Sequence, residues 1–141
     1  MSTRQKGRSF KLVKDAFNKS PYSRLLGIEV LDMKKGESRI RMAFKQKLTD
    51  LNGMVDQGAI ASLADSCVTA ALLSLVESSD RITTIEFKIN FFILVLGGEL
   101  TARAKILRKD PEIAVGVVEI INEDGELVSK AMATCRIERV D

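Results

Sequence analysis

The residue best placed to do chemistry in this chain is Asp65. It lies in a strongly apolar segment, Ala59 to Glu77, that holds no Lys or Arg. At about 100° per residue, Ser62, Asp65 and Thr69 share a helical arc of about 60°, with Ser66 beside them. A solvated helix face normally carries Lys, Glu or Arg. This stripe of small polar groups around one acid has the character of a lining. A carboxylate so placed is a candidate general base or nucleophile. The plainer reading is an acid satisfied by hydrogen bonds at a helix–loop contact. Just ahead of the segment, Asp56 suits a helix N-cap. Gln57 and Gly58 then fall in the first helical turn, where free N–H groups and the helix dipole favour negative charge. A developing oxyanion fits that geometry.

The chain has 141 residues and no histidine. Within one chain this excludes Ser-His-Asp and Cys-His pairs and His-ligated zinc or iron. Proton chemistry near neutral pH is left to Asp, Glu, Lys, Tyr, Cys or water. No phosphate-binding glycine loop or calcium loop is present. The two cysteines, Cys67 and Cys135, lie far apart in apolar segments and form no CxxC pattern. Cys67 reads as core. The net charge of +3 is compatible with an anionic small ligand and too weak to argue for nucleic acid. Arg4, Lys6, Arg8, Lys11 and Lys14 make a basic start that reads as a solvated terminus, so residues 1–8 are expected to be a tail and 9–141 one domain. Met1 to Lys11 lacks the apolar core of a secretory leader, and no segment reads as a membrane span; the expectation is a reducing cytoplasm.

The elements that must position Asp65 follow from periodicity. Ser9 to Lys19 has the spacing of a short amphipathic helix, ended by Ser20-Pro21. Leu25 to Met33 reads as a strand with a weak point at Gly27. After a turn at Lys35-Gly36, Ser38 to Phe44 alternates, so these two strands are expected to form a hairpin. Leu48 to Gly58 is a structured loop. Ala59 to Glu77 is apolar nearly all round and is expected as a long buried helix. Thr83 to Val95, Glu99 to Arg108, Ile113 to Asn122 and Leu127 to Val140 are strand-like. Their connectors are short, which predicts an antiparallel meander. One long helix against a curved antiparallel sheet is an α+β layout. The apolar run Phe91 to Leu96 exceeds what one sheet face needs and suits a subunit contact.

The stretch Asn52-Gly-Met-Val-Asp-Gln-Gly-Ala-Ile-Ala-Ser-Leu-Ala-Asp65 resembles the signature of the PaaI-like hotdog acyl-CoA thioesterases. Leu26-Gly-Ile-Glu-Val30, Ile89-Asn-Phe91 and Asp124-Gly-Glu-Leu-Val128 follow the same family's habits, over about residues 10 to 140. The resemblance implies a hotdog fold, a long central helix wrapped by the sheet. It implies a homodimer or homotetramer and thioester hydrolysis at a dimer interface, with no cofactor beyond the coenzyme A of the substrate. The role of general base or nucleophile carries to Asp65. The backbone N–H that polarises the thioester carbonyl carries to Gln57, with Gly58 completing the turn. The water-orienting hydroxyl, a Ser or Thr at the start of the next strand, carries best to Thr84 and next to Thr83. The sequence departs from the signature at three places: Asp56 replaces the family His, Gln57 the first Gly of a pair, and Asp50 the family Asn, with Asn52 nearby. The usual Asn and His donate hydrogen bonds, whereas an ionised Asp only accepts. Ser62 and Thr69 are expected beside the substrate. Lys105, Arg108 and Lys109 could meet coenzyme A phosphates, although exposed charges at a strand end are common.

The leading expectation is acyl-CoA hydrolysis. Its rival is an acyl-CoA-binding or regulatory module on the same fold, for which the missing His and Asn speak. A nucleic-acid arm over residues 1–14 is a weaker third reading.

Overall fold

The computed structural model describes residues 8–140. Arg4 and Lys6 of the basic start lie outside them. Arg8 is tied down: its N–H donates to Leu73 O at 2.9 Å, and its guanidinium donates to Ser78 O at 2.7 Å and Asp80 O at 2.9 Å.

Two helices open the fold. Ser9 caps α1 (Phe10–Lys19) by accepting from Leu12 N. Ser20 then caps a second, short helix, α2 (Pro21–Leu26), whose first position is a proline. Gly27 closes α2 in the left-handed region at φ 73°. The strand expected from Leu25 therefore starts only at Ile28, and the glycine read as a weak point is a helix stop. β1 (Ile28–Lys34) and β2 (Glu37–Ala43) form the expected hairpin, pairing from Ile28↔Met42 to Lys34↔Glu37 with a register shift between Val30 and Asp32. A single 3₁₀ turn at Gln46–Leu48 leads into the loop.

The long helix α3 (Gln57–Leu73) begins two residues before the expected start and ends earlier. Asp56 fixes the start as its N-cap. Ser74 fixes the end, donating to Ala71 O and accepting from Gly36 N, both at 2.7 Å. β3 (Arg81–Phe91), β4 (Glu99–Lys109), β5 (Ile113–Ile121) and β6 (Leu127–Glu138) complete the order. The β5–β6 hairpin turns where expected, with Asn122 Oδ1 accepting from Asp124 N and Glu126 N.

The six strands form one antiparallel sheet in the order β1-β2-β4-β5-β6-β3. This corrects the four-strand meander. β4, β5 and β6 are such a meander, but β3 leaves β4 and pairs with β6, from Arg81↔Glu138 to Phe91↔Ser129. The reason lies in residues 92–98. The strand ends at Phe91, not Val95, and the chain crosses beneath the start of α3, where Val55 N donates to Val95 O at 2.9 Å. Val95 is buried there, while Phe92, Leu94 and Leu96 are exposed.

α3 lies on the inner face of the sheet, with Leu63, Val68, Ala71 and Leu72 wholly buried. Burial of each Leu or Val side chain contributes about 1.5–3 kcal/mol. The sheet floor beneath is built from Ala102, Ala104, Ala114, Ala131 and Ala133. At Gly116 a Cβ would stand 3.1 Å from Val68 Cγ1 and 3.1 Å from Ile106 Cδ1. Small residues thus let helix and sheet approach closely. No helix among the described residues is long and apolar enough to cross a membrane.

Candidate active site

The free amides of a helix start and the acid two turns along are both fixed by local structure. Asp56, extended at φ −61° and ψ 135°, turns its carboxylate back onto the helix, and Oδ1 accepts from Gly58 N at 2.6 Å. Its carbonyl takes the N–H groups of Ala59 and Ile60. Gly58's amide is therefore committed to the cap. That leaves the N–H of Gln57, which has no protein partner among the described residues, so the pair of amides expected for an oxyanion reduces to one.

Further along α3, Asp65 is half-buried. Thr84, half-buried on β3, donates its hydroxyl to Asp65 Oδ1 at 2.7 Å. A β-bulge interrupts the β3–β6 register between Thr84 and Glu86, at this contact. Opposite Thr84 stands Cys135, its sulfur 3.9 Å from Thr84 Oγ1. Burial, and then the nearby Asp65 charge, push the Cys135 thiol up, against the Thr84 hydrogen bond that lowers it. Cys67, on the core side of α3, is pushed up to about 12 by burial, against its hydrogen bond with Ser38. Neither thiol is a ready nucleophile.

Two depressions flank the start of α3 and meet at Asp56. One is a cleft of about 180 Å³ with apolar walls from Met54, Ile60, Phe91, Ile93 and Leu94, and with Asp50, Asp56 and Gln57 in its lining. The other is an open groove of about 530 Å³ between α2 and α3, bounded by Tyr22, Leu25, Lys47, Gly58 and Ser62. Asp50 uses Oδ1 to shape its loop, accepting from Asn52 N at 2.8 Å and Met54 N at 3.1 Å. Asn52 itself is exposed and lines neither depression. Ser62 faces α2, bonded to Tyr22 OH at 2.7 Å. Thr69 stays half-buried further along α3.

The cations on β4 lie elsewhere. The start of β4 pairs with the end of β2 near Val55, whereas Ile106 N donates to Gly36 O beside the C-terminal end of α3. Lys105, Arg108 and Lys109 are thus at the far end of the sheet from Gln57, exposed, with Arg108 held by Asp110 at 3.3 Å. Sequence reasoning assigned nothing to Tyr22, and no local pattern announces its bond to Ser62, 40 residues away.

A central helix wrapped by this sheet is matched by known proteins. The thioesterase superfamily model matches residues 52–129, the stretch that carries the loop, α3 and most of the sheet. The chain belongs to the thioesterase superfamily. A candidate esterase of Saccharolobus solfataricus is 29% identical over 130 residues, 92% of each chain. The crystal structure of a thioesterase family protein from Silicibacter pomeroyi superposes with a TM-score of 0.85 at 25% identity, covering 91% of this chain and 96% of that one. A mutant of the phenylacetic acid degradation protein PaaI from Thermus thermophilus shares the fold, with a TM-score of 0.76 at 24% identity over 86% of this chain and all of that one (100%). The fold of this superfamily member is the hotdog fold, and the family assigns it to thioester and ester hydrolases.

Proposed function

We propose that this thioesterase-superfamily chain hydrolyses acyl-CoA thioesters in the PaaI-like manner, with Asp65 as general base or nucleophile. The observation that carries the reading is the Thr84 hydroxyl donated to Asp65 Oδ1 at 2.7 Å. An ionised carboxylate only accepts, so the direction of that bond is set. Thr84 steadies one carboxylate oxygen. Oδ2 has no protein partner among the described residues and is left to take a proton from water or to attack.

As general base, Asp65 removes a proton from water while the water oxygen bonds to the thioester carbon. The carbonyl oxygen gains the negative charge and is met by the N–H of Gln57. Collapse breaks the carbon–sulfur bond, and the thiolate leaves with the proton from Asp65. The products are one acid and one thiol.

Gln57 and Asp65 are eight residues apart on one helix, about 12 Å along its axis at ~1.5 Å per residue. A carbonyl needs both groups within about 3 Å of its reacting atoms. One chain cannot bring both to one carbonyl, so the reading includes a homodimer in which Asp65 of one subunit works with Gln57 of the other. The free edge of β3, eleven residues long, supports this: an unpaired strand edge of that length is a template for a second chain. The groove with Lys47 at its rim suits the pantetheine–nucleotide arm, and the apolar cleft suits the acyl group.

A second reading, an acyl-CoA-binding module without catalysis, is favoured by one observation: the cap to Asp56 consumes the Gly58 amide and leaves a single oxyanion donor. Thiol release from acyl-CoA separates the two. Hydrolysis by the wild type that falls by at least ~100-fold in Asp65→Asn, with unchanged melting, is the expected result. Acyl-CoA binding without thiol release would establish the second reading instead.

A further inference from the structure

The cleft beside Gln57 differs in character from an ordinary apolar pocket. Met54, Ile60, Phe91, Ile93 and Leu94 supply greasy walls, yet two carboxylates, Asp50 and Asp56, stand in the same lining, which contains no Lys or Arg; Lys47 lies in the adjoining groove that shares Asp56. Each acid uses Oδ1 for its own backbone, Asp50 for Asn52 N and Met54 N, and Asp56 for Gly58 N. Their Oδ2 atoms have no protein partner among the described residues. A ligand entering this cleft meets apolar surface and negative charge together.

We infer that the cleft selects acyl groups by charge: it accepts short uncharged acyl chains and rejects acyl groups that carry a carboxylate of their own. This rests on the hydrolase reading for the identity of the ligand, and the selectivity itself can be measured without hydrolysis. The size fits a small group, since a cavity of roughly 150 Å³ with aliphatic and aromatic walls holds one benzene. The charge argument is electrostatic. A carboxylate brought within the cleft loses water on the apolar walls and faces two like charges that cannot move away, because their Oδ1 atoms are held by backbone amides. Even with solvent screening, each such contact is expected to cost at least about tenfold in affinity. An uncharged chain of the same length has no such penalty and gains from burial against Ile60 and Phe91.

The probes are butanoyl-CoA and its carboxylated counterpart of equal chain length, 3-carboxypropanoyl-CoA, for hydrolysis. For binding by calorimetry the probes are the matching S-butyl and S-(3-carboxypropyl) thioethers, which cannot be hydrolysed. The wild type should prefer the uncharged member by at least about 100-fold in kcat/KM and similarly in Kd. Asp50→Asn and Asp56→Asn preserve the loop and the helix cap, because an amide oxygen accepts from the same N–H groups. Each should narrow the preference by about tenfold, and the double variant more. Using the ratio of the two probes cancels any general change in rate or stability. A ratio that stays the same in both single variants and the double variant, or equal use of both probes by the wild type, overturns the proposal. Charge-selective binding of the thioethers without hydrolysis of either thioester would overturn the hydrolase reading and uphold the selection by charge. Absence of binding and hydrolysis for every probe would overturn both.

Discussion

Gln57 lets one backbone hydrogen be removed without disturbing the helix that carries it. It is the first residue of α3, the position where proline is most at home, and Asp56 before it already has the extended φ and ψ that proline requires of its neighbour. Gln57→Pro should therefore fold and melt like the wild type while lowering kcat by about 10²- to 10³-fold, the usual loss for one oxyanion donor. Circular dichroism and thiol-release kinetics measure the two halves of that statement, and full activity in a well-folded variant would remove the Gln57 amide from the mechanism. Asp65 was legible as a lining residue because a helix with no Lys or Arg leaves its one small-polar stripe plain to see. Its hydrogen bond to Thr84 came within reach only through the family resemblance, since the contact joins two elements whose packing no local pattern encodes. The loss of Gly58 as a donor was implicit in the sequence. An Asp that caps a helix must take an amide of the first turn, and here it takes the one two residues on.

Element by element, the long helix, the β1–β2 hairpin and the strands β4 to β6 follow from period and turn chemistry. α2 did not, because six residues are too few for periodicity to register. Its signs were nonetheless present: Ser20 and Pro21 at the start and Gly27 at the stop. β3 was recognised as a strand but given the wrong neighbour. Strand pairing is a property of the whole sheet, and the irregular crossover over residues 92–98 carries no signature of where the strand before it lies. The closeness of α3 to the sheet yields a prediction at this scale. Gly116 on β5 leaves 3.1 Å between a notional Cβ and both Val68 Cγ1 and Ile106 Cδ1, and 3.3 Å to Lys105 O. Gly116→Val should push α3 off its floor and lower stability by about 1–3 kcal/mol, read from chemical denaturation. A variant as stable as the wild type would show that the helix has room the packing does not suggest.

At the scale of the whole molecule, the proposed mechanism requires two chains, because each holds the two parts of a site too far apart to act together. The amide of Gln57 opens α3, Asp65 with Thr84 sits two turns on, and the strand that carries Thr84 is one of the two edges of the sheet. Pairing two chains along that edge would make a two-fold dimer in which each helix start faces the other helix's acid, with two equivalent sites. On the proposed reading, Asp50 and Asp56 bear on what enters such a site. Two inactive variants test the assembly directly. Asp65→Asn lacks the acid and Gln57→Pro lacks the amide, so each homodimer has no intact site. Unfolded together and refolded as a mixture, half of the dimers should be mixed, each with one intact site, restoring about a quarter of wild-type thiol release. Separately refolded variants combined without exchange should stay inactive. A co-refolded mixture no more active than its components, with mixed dimers verified by differential tagging, would contradict a site shared between subunits.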